Sequence, residues 1–469
     1  MNKKYILVLL LLLFALPLTA CGRNTPPSEP NNGQDAPTPG HSTDVSGTIT
    51  LPNNGHSHFR GFVNASDAFI TDADFGVSQF PAVHITTQYP AINRYTRIPG
   101  IISVSNTDAA YQLAATPMRI RGRGNSSWGL DKKPFRIRFS QPVALLDAGH
   151  AATDWTFIAN HSDKSLLRNY SAYHMAALLG GMSYAPFARN VDVYFNGEYQ
   201  GVYMLSVQLN EIRPGRIDLA YDPDPARSEY LLELNRRIHY NPDNIEGVHF
   251  LRIGGRYYHI RFPVGDDLTP AHVDYLRDYL TRLDQLIYHQ NPEALEYIHL
   301  PSFIDYYLVQ ELYKNYDISS LSVFMQIRGQ GSDRRLEKGP VWDFDIAAGN
   351  CYYQDRNLHR GGYGPTGIWA GYMNRWFRGL MGMPAFASQV SARWAHIYEN
   401  ELPQTIAHIT HTASAYQASF ERNFKRWDIM GVYVWPNPQQ VVAIDTFEGQ
   451  VEYLINFLQT RGAWLLDNL

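Results

Sequence analysis

Cysteine is nearly absent: Cys21 and Cys351 are the only two in 469 residues. Two thiols cannot build a disulfide framework, and so low a count excludes a thiolate zinc site. Neither sign of charge dominates, since 40 Lys and Arg face 44 Asp and Glu for a net charge of -4. That balance exerts no global pull toward nucleic acid or anionic lipid, and no nucleic-acid partner is expected. The 17 histidines are scattered, and none forms the His-Glu-x-x-His pair of a helical zinc site. The nearest groupings, His56/His58 and His408/His411, read as solvated surface. No internal repeat recurs along the chain. Long apolar runs are missing too, apart from one at the very start.

That run follows Lys3 and Lys4 and extends from Tyr5 to Ala20, which is short for a membrane-spanning helix. A charged n-region, an apolar h-region and Leu18-Thr19-Ala20 directly before Cys21 make the pattern of a lipoprotein signal. Residues 1–20 are therefore expected to be a removed signal peptide and Cys21 to carry lipid. Two or three acyl chains anchor stably where one is marginal. Residues 21–47 hold Pro26, Pro27, Pro30, Pro37 and Pro39 among Asn, Gly, Ser, Thr and Asp, without apolar periodicity. Such a composition cannot offset the entropy of ordering and reads as a tether. The expectation is an exported protein, lipid-anchored to the outer face of the cell membrane.

The rest is globular in composition, with 45% hydrophobic and 13% aromatic residues. Residues 48–265 read mainly as β. Ala82 to Thr87 alternates, as do Met118 to Arg121 and Phe135 to Phe139, the last two with basic residues outward. A Gly-rich connection between those two suggests a hairpin. A clearer one is Asp192 to Leu205 around Asn196-Gly197, a pair suited to a type I′ turn. One helix is expected from Ser165 to Leu179. Residues 266–469 read mainly as helix: an amphipathic segment from His272 to His289 opened by Thr269-Pro270, another from Pro301 to Asp317, and longer ones over Pro384–Arg426 and Thr446–Leu466. Short strands are expected at Val323–Ile327 and Gly339–Trp342. The fold class is α+β, β-rich first and helical second.

Three segments carry chemistry. Arg121-Gly122-Arg123-Gly124-Asn125-Ser126-Ser127-Trp128, continuing through Lys132-Lys133, places glycines and cations between two strands. It reads either as a cradle whose N–H groups and cations meet a polyphosphate, or as a Gly-rich turn with a solvated basic face. Asn315-Tyr316-Asp317 ends an apolar helix. Trp342-Asp343-Phe344-Asp345 puts two carboxylates at i and i+2 after an apolar residue. Buried, they need a cation, and Mg²⁺ takes one or two carboxylates plus phosphate oxygens; the alternative is a helix cap or an arginine pair.

These phrases, with Asn196-Gly197-Glu198-Tyr199-Gln200-Gly201-Val202-Tyr203 and the downstream Ala348-Gly349, closely resemble the signature of the spore coat protein H (CotH) kinase family. The resemblance spans roughly residues 80 to 350, four motifs in order. It implies a two-lobed, atypical protein-kinase-like fold that transfers the γ-phosphate of ATP, with Mg²⁺ or Mn²⁺, to Ser or Thr of surface or coat proteins. By resemblance, Asp343 holds the metal with Asp345 and Asn315 in support, and Asp317 orients and deprotonates the acceptor hydroxyl. Lys133, the better match to the family's strand-entering lysine, would be catalytic and with Lys132 would meet the phosphates, with Arg123, Asn125 and Arg168 facing the nucleotide. Ser206-Val207-Gln208 stands where family members commonly carry Thr-Glu-Gln, so the family Glu is missing; Glu211 and Glu233 are the acidic groups nearby. Asn350 is the candidate for a second metal-binding Asn. The alternative function is a catalytically silent surface scaffold binding a wall, coat or polysaccharide partner.

Overall fold

The computed structural model describes residues 70–72, 74–89, 91–209, 217–353 and 361–469. The signal, Cys21, the tether and Glu211 lie outside the described residues. No helix among those described is long and apolar enough to cross a membrane.

Alternating apolar residues make the first half a set of strands. A short pair, β1 (Ile70–Asp72) and β2 (Gly76–Ser78), precedes β3 (Ala82–Thr86), β4 (Ile98–Ser105), β5 (Leu113–Gly122), β6 (Phe135–Val143), β7 (Ala152–Ile158), β8 (Arg189–Phe195) and β9 (Glu198–Val207). The last seven close into a barrel in the order β3-β4-β5-β6-β7-β9-β8. Every contact is antiparallel except the parallel closure of β3 on β8. Its interior is filled by Ile102, Ile120, Ile137, Trp155, Phe157 and Leu205, among others, so it is a packed core and not a lumen. Both expected hairpins are present. Arg121 faces Arg136 across β5 and β6, and Asn196 and Gly197 turn the chain at φ 50° and 87°, as a type I′ turn requires.

A second sheet, ordered β11-β12-β10-β13-β14, joins β10 (Tyr230–Leu234), β11 (Phe250–Ile253), β12 (Arg256–Phe262), β13 (Val323–Arg328) and β14 (Arg335–Lys338). It takes strands from both sides of residue 265. Its last strand corrects the sequence reading. Val323–Ile327 is the strand expected, but its partner is Arg335–Lys338 rather than Gly339–Trp342. Leu336 and Lys338 turn inward while Arg335 and Glu337 turn out. Gly339 then takes φ 111°, and Pro340 has no N–H to offer a ladder, so pairing stops just before the acidic motif.

Ten α-helices among the described residues complete the fold: α1 (Arg168–Leu179), α2 (Pro270–Tyr288), α3 (Leu300–Leu312), α4 (Ala370–Met373), α5 (Arg375–Met381), α6 (Pro384–Glu399), α7 (Glu401–Ala415), α8 (Gln417–Arg426), α9 (Gln439–Val442) and α10 (Phe447–Asn468). The architecture is α+β, β-rich then helical. α2 buries Val273, Leu276, Leu280 and Leu283 on one face, the spacing of an amphipathic helix. α3 and α1 are buried almost all round and share the larger core with β10, β13, α6 and α10. The long helical run expected over 384–426 is broken into α6, α7 and α8.

α8 fastens the helical layer to the barrel. Arg422 pairs with Asp192 at 3.0 Å and donates to the Tyr194 hydroxyl at 2.9 Å. Trp427 Nε1 donates to the Gln200 carbonyl at 2.9 Å, and Asn423 Oδ1 accepts from the Val202 N–H at 3.1 Å. Gly201, at φ 102°, leaves room that a Cβ would close, only 2.6 Å from Asn423 Oδ1. The Asn196–Tyr203 motif is thus a docking surface for α8.

Candidate functional site

A cleft of about 970 Å³ opens between the β5–β6 connection and the loops that follow α3, β10 and β14. Arg121, Gly122, Arg123, Gly124, Asn125 and Ser127 line one side, and Asp317, Ser322, Trp342, Asp343 and Asp345 another. Three of the sequence motifs therefore meet in one place. Arg123 closes the gap between them, its guanidinium lying 5.9 Å from the centre of the Trp342 ring.

The Gly-rich connection owes its shape to its own residues. A Cβ on Gly122 would strike the Trp128 ring at 2.2 Å, so Trp128 folds back over that glycine. Gly124 sits at φ 81°, where a side chain would be strained and would meet Ser127 Oγ at 2.1 Å. Arg94 holds the Gly124 carbonyl at 2.9 Å, and Lys133 Nζ holds the Trp128 carbonyl at 2.9 Å. Lys133 is thus a strut beneath the loop and does not line the cleft.

α3 delivers Asp317. The helix stops at Leu312, Lys314 takes φ 44°, and Asn315 caps the following turn by accepting the Asp317 N–H at 3.1 Å. Asn315 Nδ2 donates to the Asp343 carbonyl at 3.2 Å. One amide therefore fixes both acids through their backbones, a positioning part rather than that of a metal ligand. Ser322 Oγ donates to Asp343 Oδ2 at 3.0 Å. Asp343 has φ 67°, Ser322 53° and Ala348 45°; non-glycine residues in the left-handed region are uncommon and cluster where the surroundings over-determine them.

Behind the acids lies a dry polar frame. Arg168, fully buried, pairs with buried Asp163 at 2.6 Å and donates to the Ala347 carbonyl at 3.0 Å and to the Ala348 carbonyl at 3.3 Å. Asn169 Oδ1 accepts the Phe344 N–H at 2.6 Å. Asn350 Nδ2 donates to the carbonyls of Asp345 and Ser162 at 2.7 and 3.0 Å. So Arg168 and Asn350 hold the acidic loop from the rear and do not reach the cleft. Lys132 is further away, buried under α8, where its Nζ donates to Asn423 Oδ1 at 2.7 Å and to the Val202 carbonyl. Burial pushes its pKa well below the usual lysine value, with Asp192 opposing. Glu233 lines the cleft but is tied to Arg261. Val207, where the family Glu would stand, points into the barrel core.

The carboxylates resist sharing this space. Burial raises the Asp317 pKa to about 7, with the charge of Asp343 adding to the push while Arg237 and Arg236 pull it back. Asp345 is driven well above the carboxylate range, first by burial and then by Asp343, Asp317 and Asp163. Like charges held together by a hydrogen-bonded frame call for a cation. Among the described residues no three His, Cys, Asp or Glu converge closely enough to hold a metal alone. Mg²⁺ does not need three; it uses one or two carboxylates and completes its shell with water and phosphate oxygens. The acids present fit such an ion when a phosphate comes with it.

Several cleft residues have no flag in the sequence: Ser322, a lone serine before β13; Arg236 and Arg237 after β10; Tyr353 and Trp435, far apart in the chain, whose indole and hydroxyl bond at 2.7 Å. Even Arg236-Arg237, adjacent cations one residue beyond β10, carry no motif that marks them. No curated protein matches the chain. The CotH kinase protein family model matches residues 120–465. The matched span starts within β5, takes in the Gly-rich connection and the acidic loops alike, and runs into α10. This chain therefore belongs to the CotH kinase protein family.

Proposed function

We propose that this protein is an ATP-dependent protein kinase with a two-lobed, kinase-like division of labour, transferring the γ-phosphoryl group to Ser or Thr of a surface or coat protein. The observation that carries the reading is the meeting of Asp317, Asp343 and Asp345 with the Arg- and Gly-rich β5–β6 connection across one cleft. Phosphoryl transfer asks little covalent chemistry of a protein; positioning and charge do most of it. Asp343 and Asp345 would hold Mg²⁺ or Mn²⁺, which when bound neutralises phosphate charge. Arg123 and Asn125 would contact the phosphates. Lys133 would serve by keeping that loop in shape. Asp317, with its pKa raised to about 7, is suited to accept the acceptor hydroxyl proton near neutral pH. Arg168 and Asn315 would position the acids.

From the Cys21 signal and the Pro-rich tether we further propose that the enzyme works outside the cytoplasm, lipid-anchored to the outer face of the membrane. Its missing family Glu does not disarm the reading, because the acids and the Arg-rich loop are together without it. The test is transfer of labelled γ-phosphate from ATP, with Mg²⁺ or Mn²⁺, to the protein itself or to casein. The expected result is label that Asp343→Asn abolishes. Absence of label in both, with no ATP-induced rise in melting temperature, would overturn it in favour of a silent scaffold.

A further inference from the structure

Arg236 and Arg237 have no part in the chemistry above, yet they are built into the cleft. Asn235 Oδ1 accepts the Arg237 N–H at 3.1 Å, shaping a local turn directly after β10. The Asn235 N–H donates to the Tyr257 carbonyl at 3.0 Å, and the Arg236 N–H donates to the Ser320 carbonyl at 3.0 Å. Arg256 donates to the neighbouring Ser319 carbonyl. The turn bearing the two arginines is thereby pinned to the turn bearing Asp317. Both side chains line the cleft, Arg236 exposed and Arg237 half-buried.

Other cations of the cleft are engaged. Arg136 pairs with Asp154 at 2.7 Å, Arg261 with Glu233, Arg94 with the Gly124 carbonyl, and Arg123 with the Trp342 ring. Arg236 and Arg237 have no ion pair or side-chain hydrogen bond among the described residues. Their charges favour the ionised form of Asp317, and their guanidinium donors remain open to an incoming anion.

The cleft divides that role. Arg123 lies over the ring of Trp342, the residue directly before Asp343. The turn of Arg236 and Arg237 is hydrogen-bonded to Ser320, whose own N–H donates to the Asp317 carbonyl. One station belongs with the metal-binding acids and phosphates, the other with the carboxylate that faces the acceptor. Resting on the kinase reading, we propose that Arg236 and Arg237 bind the acceptor polypeptide, and that the preferred acceptor is an acidic segment with Asp or Glu side chains flanking its Ser or Thr. In the transfer, the acceptor oxygen bonds to the γ-phosphorus as the bond to the β–γ bridging oxygen breaks. The electron pair leaves with ADP, and the hydroxyl proton passes to Asp317.

The experiment compares two synthetic peptides with one central Ser, flanked by Glu and Asp in one and by Lys and Arg in the other. They are offered to the wild type, to Arg236→Ala/Arg237→Ala and to Arg236→Glu/Arg237→Glu, with folding checked by melting temperature. Two rim-exposed charge contacts predict a wild-type preference for the acidic peptide of roughly tenfold in kcat/KM. The alanine pair should abolish it and the glutamate pair invert it, with the KM for ATP unchanged within about twofold. Equal rates on both peptides from a wild type that binds ATP and transfers phosphate would overturn the inference and leave the kinase reading standing. So would a large rise in the KM for ATP with peptide preference unchanged, which would move the arginines to the nucleotide. A wild type that neither binds ATP nor labels either peptide would overturn both.

Discussion

Replacing Asp317 by Asn tests the electrostatics of the cleft without testing catalysis first. The carboxyl moves from an ordinary 3.8 to about 7 because folding strips water from it and places it beside Asp343. The native state thus keeps a proton that the unfolded chain releases near pH 4, so stability falls as pH rises from about 4 through 7 and levels above that. At roughly 1.36 kcal/mol per unit, the whole shift is worth about 4 kcal/mol. Asp317 lines an open cleft and keeps some water, so about half of that, ~2 kcal/mol, is the expected effect. Asn is nearly the same size and carries no charge. The variant should match the wild type at pH 4 to 5 and exceed it at pH 8. With an unfolding entropy of roughly 2.1 cal/mol/K per residue over ~400 folded residues, ~2 kcal/mol is about 2–3 °C in Tm. Scanning calorimetry in chelator, from pH 4 to 8, reads this directly. A difference that does not grow with pH, or a wild type that gains stability between pH 5 and 8 relative to the variant, would refute the assignment of a strained, partly protonated Asp317. The same variant should still bind Mg-ATP and fail to transfer phosphate.

Asp343→Asn keeps a residue that tolerates φ 67° and should abolish the Mg²⁺-dependent rise in Tm on adding ATP; an unchanged rise would remove Asp343 from the metal role. Ser322→Ala removes the donor that holds Asp343 Oδ2. Isothermal titration should show Mg-ATP affinity about 10-fold weaker, by analogy with lost support of metal ligands, and no weakening would make that hydrogen bond incidental. Arg168→Ala strands Asp163 as an unpaired buried charge and should cost about 3–5 kcal/mol, some 4–6 °C in Tm; a drop below 1 °C would refute the frame. Lys133→Met should raise the KM for ATP several-fold with kcat within about twofold, because the ammonium supports the Trp128 carbonyl. A hundredfold fall in kcat at unchanged KM would make it a direct phosphate ligand instead.

Local physics made much of this protein legible. Asn196-Gly197 declared its hairpin because two positive φ angles in sequence are acceptable there, and α2 declared itself by one apolar face. Asp317 and Asp343 stood out as carboxylates attached to apolar segments, where burial demands a purpose. The stop at Lys338 was less legible: β14 reads as a polar turn because its outward residues are Arg335 and Glu337, and only pairing with β13 makes it a strand. The resemblance favoured Lys133 over Lys132 as the phosphate lysine, but neighbours in sequence say nothing of which side of the loop each faces. One proved a strut, and the other lies beneath a helix nearly three hundred residues away.

The sequence by itself determined the α+β class with its β-rich first and helical second half, the family and the acids of the cleft. Each of these is written in short-range periodicity or in a contiguous motif. Closure of seven strands into a barrel, the crossing of residue 265 by the second sheet, and the meeting of Arg123 with Trp342 depend on contacts between distant segments. So do the pKa of Asp317 and the uncommitted state of Arg236 and Arg237. Burial, charge proximity and the absence of a partner are properties of arrangement, and only the folded chain possesses them.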